Sequence, residues 1–250
     1  MARRLNFAWR LFATGFCFSI FGIGGMFMGF LILPLIHLLS RNRRIANRRC
    51  QFLVHLSFRL LIAVMRGLRL LSYEMVGRER LHQSDSKLIV SNHPSLIDIV
   101  FIVSLMPQAV CAVKKAAWSN PFMAGVMWAT GYVPNDDPMR FIDDCVENVQ
   151  DGQRLVIFPE GTRVEPGKKL RYRAGIAALY SALDLPVTPV VHNSGLCWPK
   201  QSFRKYAGTI VIRFLEPINP GLERQEFMTQ LEVVMENAAD ELMAETNPAH

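Results

Sequence analysis

The chain has 250 residues, half of them hydrophobic, with a formal net charge of +7 and a mean hydropathy of +0.17. That is room for one domain with a full core and a short appendage, at a hydropathy high for a freely soluble protein. The charge and the cysteines exclude two classes. Residues 1–72 hold eleven arginines, no lysine and no acid, leaving 17 basic against 21 acidic side chains in the remainder. Arginines interleaved with long apolar runs suit an anionic lipid surface, not the polar basic face of a nucleic-acid binder. The five cysteines (17, 50, 111, 145 and 197) form no CxxC pair. They read as reduced thiols of a cytoplasmic domain, not as a disulfide or zinc framework.

Taken in chain order, Leu11–Leu39 comes first, 29 residues without a formal charge. It passes the roughly 18–20 apolar residues that span a bilayer and is too long for a cleavable signal. A single span is the simplest expectation, and Gly22, Gly24, Gly25 and Pro34 leave room for a kinked or re-entrant hairpin. Arginines flank both ends, more heavily after the run. That places the rest of the chain in the cytoplasm, and the protein on the inner membrane. From Gln51 to Leu71, His55, Arg59, Arg66 and Arg69 fall in one helical stripe that Arg48 joins, among Phe52, Leu53, Leu56 and Leu60. This pattern predicts a helix in the headgroup plane with its stripe toward phosphates.

After Tyr73 short β-rich runs alternate with helical ones, predicting an α/β fold with a mixed sheet flanked by helices. Strands are expected at 87–91, 109–113, 131–134, 154–158, 187–191 and 209–215. Helices are expected at 94–105, 121–129, 139–151, 174–183 and 223–244. The organisation is thus a membrane-anchoring helical segment over 1–72 and one α/β catalytic domain over 73–250.

The block Ser91-Asn-His-Pro-Ser-Leu-Ile-Asp98 sits between a strand and an apolar helix. Pro94 suits a first helical position, which leaves His93 at the helix mouth. Two residues five apart inside a helix diverge by ~140°, but from the mouth His93 is within reach of Asp98. A carboxylate on one ring nitrogen fixes the tautomer and frees the other to take a proton. Such a pair lacks its own nucleophile, so the substrate's hydroxyl must supply it. After a second strand comes Phe158-Pro-Glu-Gly-Thr-Arg163, then a basic run including Arg171 and Arg173. Turns after buried strands are where α/β sheets place ligands. Gly161 allows close backbone approach, Arg163 can grip a phosphate twice, and Glu160 can bind a hydroxyl or hold that arginine.

Together these blocks resemble the glycerolipid acyltransferase superfamily, which includes the lysophosphatidate- and phosphatidate-forming enzymes. Its His-x-x-x-x-Asp block matches as His93 and Asp98, and its Phe-Pro-Glu-Gly-Thr-Arg block matches unchanged at 158–163. A later Val-Pro-x-x-Pro-Val element is similar to Leu185-Pro-Val-Thr-Pro-Val190. The resemblance, over about residues 70 to 220, implies attack of a lysophospholipid hydroxyl on an acyl thioester of acyl carrier protein or coenzyme A. It implies no cofactor and no metal, with membrane lipids as partners. His93 would be the general base and Asp98 its orienter. Glu160, Gly161, Thr162 and Arg163 would hold the acceptor, with Arg173 and Arg140 as further phosphate ligands.

One stretch departs from the pattern. Where the family has an arginine near the acceptor phosphate, this chain reads Gly131-Tyr-Val-Pro-Asn-Asp-Asp-Pro138, with no arginine until Arg140. The leading expectation is a phosphatidate-forming O-acyltransferase. The departure motivates an alternative, the same chemistry on a glycolipid or other lipid alcohol of a specialised pathway, such as aryl-polyene-type pigments. A catalytically silent lipid-binding scaffold is the third reading, disfavoured because a scaffold needs neither a poised base nor its partner.

Overall fold

The computed structural model describes residues 2–83, 87–200 and 205–246. The apolar run folds as one unbroken helical path: α1 (Ala2–Phe27), a π-helical turn (Met28–Ile32) and α2 (Leu33–Leu38). Pro34, which has no N–H to donate, stands in α2 just after the π turn, where the regular helical hydrogen-bond pattern is already interrupted. The π turn lies where the path crosses α7 (Pro121–Thr130) at a pair of glycines. A Cβ on Gly125 would come within 2.6 Å of the Gly29 carbonyl oxygen. Helix α3 (Arg43–Gly67) follows, capped by the Asn42 side chain, which accepts from the Ile45 N–H at 2.9 Å.

Strand β1 (Ser72–Val76), which the alternation did not reveal, opens the sheet. The rest of the order is α4 (Arg80–Gln83), β2 (Leu88–Ser91), α5 (Ile97–Val103), β3 (Ala109–Val113), α6 (Lys115–Trp118), α7 and β4 (Val133–Pro134). Then come α8 (Pro138–Gln150), β5 (Arg154–Ile157), α9 (Gly175–Leu183), β6 (Val187–His192), α10 (Ser194–Cys197), β7 (Thr209–Phe214) and α11 (Arg224–Thr246). The strands form one seven-stranded sheet in the order β1-β7-β6-β2-β5-β3-β4. Neighbours are parallel except β6 and β7, so the sheet is mixed, as expected.

Alternate side chains of each central strand feed two separate cores. Ile89, Cys111, Val156 and Val190 join α1, α3, α5 and α7. Leu88, Val110, Leu155 and Val191 join α8, α9 and α11. The first 72 residues therefore build, with α5 and α7, one of the two layers that cover the sheet. Ala13, Cys17, Leu33, Cys50, Val54, Ile62 and Met65 are buried in it, and Phe18 meets Trp198 with ring centroids 5.8 Å apart.

The polar stripe foreseen on 51–71 needs correction. His55 is buried and its Nδ1 lies 3.0 Å from the Val103 carbonyl oxygen. Gln51, also buried, donates to the Thr130 carbonyl at 2.8 Å. Arg48 donates to the Asp151 carbonyl, and Arg69 lies beyond the helix end with φ +56°. Arg48, Arg59 and Arg66 of that stripe are exposed on α3, the last two next to Phe52, Leu56 and Leu60. The spacing grouped residues with different fates: hydrogen-bonding partners inside the domain claim His55 and Arg48.

Candidate active site

Three adjacent parallel strands, β6, β2 and β5, end at the same edge of the sheet, and each delivers one part of the site. After β2 the chain makes a turn through Asn92-His93-Pro94-Ser95-Leu96 before α5 begins at Ile97. The helix thus starts three residues later than Pro94. His93 is outside it and Asp98 in its first turn, which is what lets them meet. His93 Nδ1 lies 2.9 Å from Asp98 Oδ2. The same oxygen accepts the Ser95 N–H at 2.7 Å, and Asp98 Oδ1 accepts from the Ser194 hydroxyl at the end of β6. Asp98 is 1% exposed and has three donors. His93 is half-buried, stacked on Phe158 at 4.1 Å. Its Nε2 makes no hydrogen bond within the described residues.

The end of β5 supplies the floor. Gly161, at φ +63°, turns the chain so that the Val164 N–H reaches the His93 carbonyl oxygen at 2.8 Å. A Cβ at Gly161 would stand 3.3 Å from Arg173 Nε, and the Arg173 N–H donates to the Pro159 carbonyl at 3.0 Å. Glu160 is buried, with one carboxyl oxygen unpartnered. Burial pushes its carboxyl up to about 7; the backbone N–H groups of Glu160 and His93 pull it back, and the charge of Asp98 adds a small upward push. Thr162 and Arg163 are half-buried on the same loop.

Lys200 donates to the Arg163 carbonyl at 3.0 Å. Lys205 lies 5.1 Å from the Trp198 ring centroid, and burial and then the Arg163 guanidinium lower its pKa. Arg163 thus gathers two lysines from the segment after β6, a convergence of cations that the sequence reading did not foresee. Arg140 is not brought to this cluster. It sits in the first turn of α8, 3.6 Å from Asp144. The two carboxylates before it are structural as well: Asp136 pairs with Lys115 at 2.6 Å, and Asp137 caps α8 by accepting the N–H groups of Met139 and Arg140.

The sequence reading also passed over His192, Asn92 and Ser194. Asn92 clamps the end of β6 in both directions, donating to the His192 carbonyl and accepting the His192 N–H, each at 3.0 Å. His192 Nδ1 is 3.6 Å from Asp98 Oδ1, too far for a hydrogen bond. Its ring is buried with neither nitrogen hydrogen-bonded, and burial above all lowers its pKa, so it stands as a neutral neighbour, not an ion-pair partner. The signal that could have found these residues is position: Asn193-Ser194 directly follows a fully buried strand, where α/β sheets place functional groups.

Beside the His93 turn an apolar cavity of about 300 Å³ opens between α1, α3 and α7, lined by Phe21, Met28, Phe58, Leu61, Leu96 and Val126 among others. Leu96, Phe21 and Leu61 also line a smaller neighbouring pocket toward Ile97 and Trp198.

Fold and site define an α/β protein in which a strand-end histidine is held by a buried carboxylate through one ring nitrogen. The family model described as Acyltransferase matches residues 72–193. The 1-acyl-sn-glycerol-3-phosphate acyltransferase of Pseudomonas aeruginosa is 27% identical over 233 residues, covering 88% of this chain and 85% of that protein. Its Helicobacter pylori counterpart is 28% identical over 171 residues, covering 64% and 72%. The crystal structure of the 1-acyl-sn-glycerophosphate acyltransferase of Thermotoga maritima superposes with a TM-score of 0.75 at 20% identity over 97% of this chain and 98% of that one, so the fold is shared. These likenesses support a place for the chain in the glycerolipid acyltransferase superfamily and mark it as an acyltransferase.

Proposed function

We propose that this enzyme transfers a fatty acyl group from an acyl thioester, carried by acyl carrier protein or coenzyme A, to the hydroxyl of a lysophospholipid such as 1-acylglycerol 3-phosphate, giving phosphatidate. The observation that carries this reading is the His93–Asp98 pair, with Nε2 facing away from its orienter, between a cationic loop and an apolar cavity. Nε2 removes the acceptor's proton as its oxygen attacks the thioester carbonyl. Asp98 stabilises the resulting imidazolium through Nδ1. When the tetrahedral intermediate collapses, the C–S bond breaks and the imidazolium returns the proton to the departing thiolate, so no proton is gained or lost. Arg163, with Lys200 and Lys205 behind it, suits the acceptor phosphate. The cavity past Leu96 suits an acyl chain.

Attachment to a membrane belongs to the same reading. Ala8–Leu38 and Arg43–Gly67 are long and apolar enough to cross a bilayer. One side of each packs on the domain, while Phe12, Phe16, Ile23, Phe30, Leu38 and Leu60 are exposed. A face so apolar beside Arg59 and Arg66 fits a helical pair sunk into one leaflet better than a free span. A second reading keeps the chemistry and changes the acceptor to another lipid alcohol. It rests on Asp136, Asp137 and Arg140 having structural partners where the family places a phosphate-binding arginine. The test is acyl transfer by detergent-purified protein from labelled acyl-CoA and acyl-carrier-protein donors to lysophosphatidate and a panel of lipid alcohols, with His93→Ala as the blank. Transfer to lysophosphatidate that vanishes in the blank supports the first reading. Transfer only to another alcohol replaces it with the second.

A further inference from the structure

We infer that Ser194 is a positioning residue of the catalytic pair, the third member of a buried His93–Asp98–Ser194 relay. The inference rests on the proposed acyl-transfer chemistry but not on which acceptor is used. A carboxylate that must face an imidazole in a low-dielectric site has to be fixed about its own Cα–Cβ–Cγ torsions, and both its oxygens need donors. Oδ2 is held by His93 Nδ1 at 2.9 Å and by the Ser95 N–H at 2.7 Å. Oδ1 accepts one hydrogen bond, from the Ser194 hydroxyl. Ser194 is 1% exposed, so it cannot touch a substrate. Its place is fixed by the strand end on both sides: Asn92 clamps His192 to β2, and the Asn193 side chain accepts the Val211 N–H at 2.8 Å. The residue after Ser194 is a glycine whose Cβ would stand 2.8 Å from Pro94 Cβ and 2.7 Å from Pro166 Cγ. Thus the β6 turn presses directly against the His93 turn. A hydroxyl at this point sets the carboxylate plane and keeps its charge available to the imidazolium formed in the transition state.

A residue that acts through Asp98 alters turnover without altering substrate contacts. Ser194→Ala should therefore lower kcat by about 10- to 100-fold, the range for a hydrogen bond to a charged group, with KM for acceptor and donor unchanged. Ser194→Cys, keeping a weak donor, should fall between. A second readout is independent of the acceptor: the downfield proton resonance of the His93 Nδ1–H, assigned by its loss in His93→Ala. It should move or broaden in Ser194→Ala while circular dichroism shows the fold intact. If Ser194→Ala does not fold, the cysteine variant carries both measurements. Wild-type kcat with an unmoved resonance would overturn the relay, as would a raised KM at constant kcat, which would make Ser194 a substrate contact. Wild-type protein that does not acylate lysophosphatidate would refute the proposed acceptor instead, and the resonance would then decide the role of Ser194 by itself.

Discussion

His93 lies at the meeting point of three constraints: the strand end that delivers it, the Phe158 ring it stacks on, and the buried carboxylate that turns it. Replacing it by alanine removes the proposed base but few packing contacts, since the ring is half-buried. Turnover should fall by roughly 10²- to 10⁴-fold, the usual contribution of a general base, while the thermal midpoint barely changes; a turnover near wild type would end the general-base assignment. Asp98→Asn is a different kind of loss. The amide cannot stabilise an imidazolium and must also present an N–H group to a buried donor or acceptor, so kcat and stability should fall together. Glu160 makes a prediction through pH. Its carboxyl is raised from 4.5 to about 7, chiefly by burial, so the folded protein holds this proton where the unfolded chain releases it. The contribution to stability is complete below about pH 4.5 and is lost as pH rises through about 7, a swing on the order of 3 kcal/mol. Glu160→Gln, neutral at every pH, should flatten the fall of wild-type stability between about pH 5 and 8 in denaturant titrations. A slope identical to wild type would show that the carboxyl titrates normally.

At the scale of elements, the N-terminal helical path crosses α7 at a close backbone contact between Gly29 and Gly125. The three atoms nearest a Cβ on Gly125 are backbone atoms of Gly29, at 2.6 to 3.1 Å, and backbone cannot rotate aside as a side chain can. Gly125→Ala should push α7 and the π turn apart and destabilise the fold by about 1–3 kcal/mol, the range for overpacking a filled site, despite alanine's better helix propensity. Calorimetry showing equal or higher stability would mean that the helices part without strain. Much of this layer was legible in the sequence. The uncharged run gave the helix, Asn120-Pro121 and Gly131 bound α7 as cap, first-turn proline and left-handed end, and the strands of the central sheet were foreseen within one or two residues. Two things were not. β1 is an edge strand whose side chains alternate only between exposed and half-buried, so its hydrophobic pattern is faint. The orientation of α3 depended on partners far along the chain, Val103 for His55 and Thr130 for Gln51, and periodicity does not report who those partners are. The His93–Asp98 pairing was foreseen because five residues of turn and helix geometry suffice for it. The Ser194 contact spans 96 residues of sequence, and only the sheet order brings it in.

For the molecule as a whole, the question is what the apolar outer face of α1, α2 and α3 rests against, and how to ask it without destroying the enzyme. Deleting residues 1–72 is not a clean experiment, because it removes much of one covering layer of the sheet, with Leu33, Cys50, Val54 and Met65 of its core. Surface substitutions are. Phe12, Phe30 and Leu38 are 70%, 63% and 81% exposed and contribute little to the interior. Changing all three to Asp should therefore leave the fold intact in detergent. Each buried apolar side chain contributes about 1.5–3 kcal/mol to transfer from water, and a carboxylate adds a penalty near the anionic lipid surface. The variant should thus shift from the membrane pellet to the supernatant. The cavity past Leu96 opens between these same helices, so docking would bring an acyl chain and the site to one plane. Activity should then separate by substrate. Acylation of an acceptor embedded in vesicles should drop by at least about tenfold, in line with the lost partitioning, whereas a short-chain acceptor dissolved as monomer should be acylated at the wild-type rate. Equal losses on both substrates would place the damage in the site, and unchanged sedimentation would show that these residues do not face lipid.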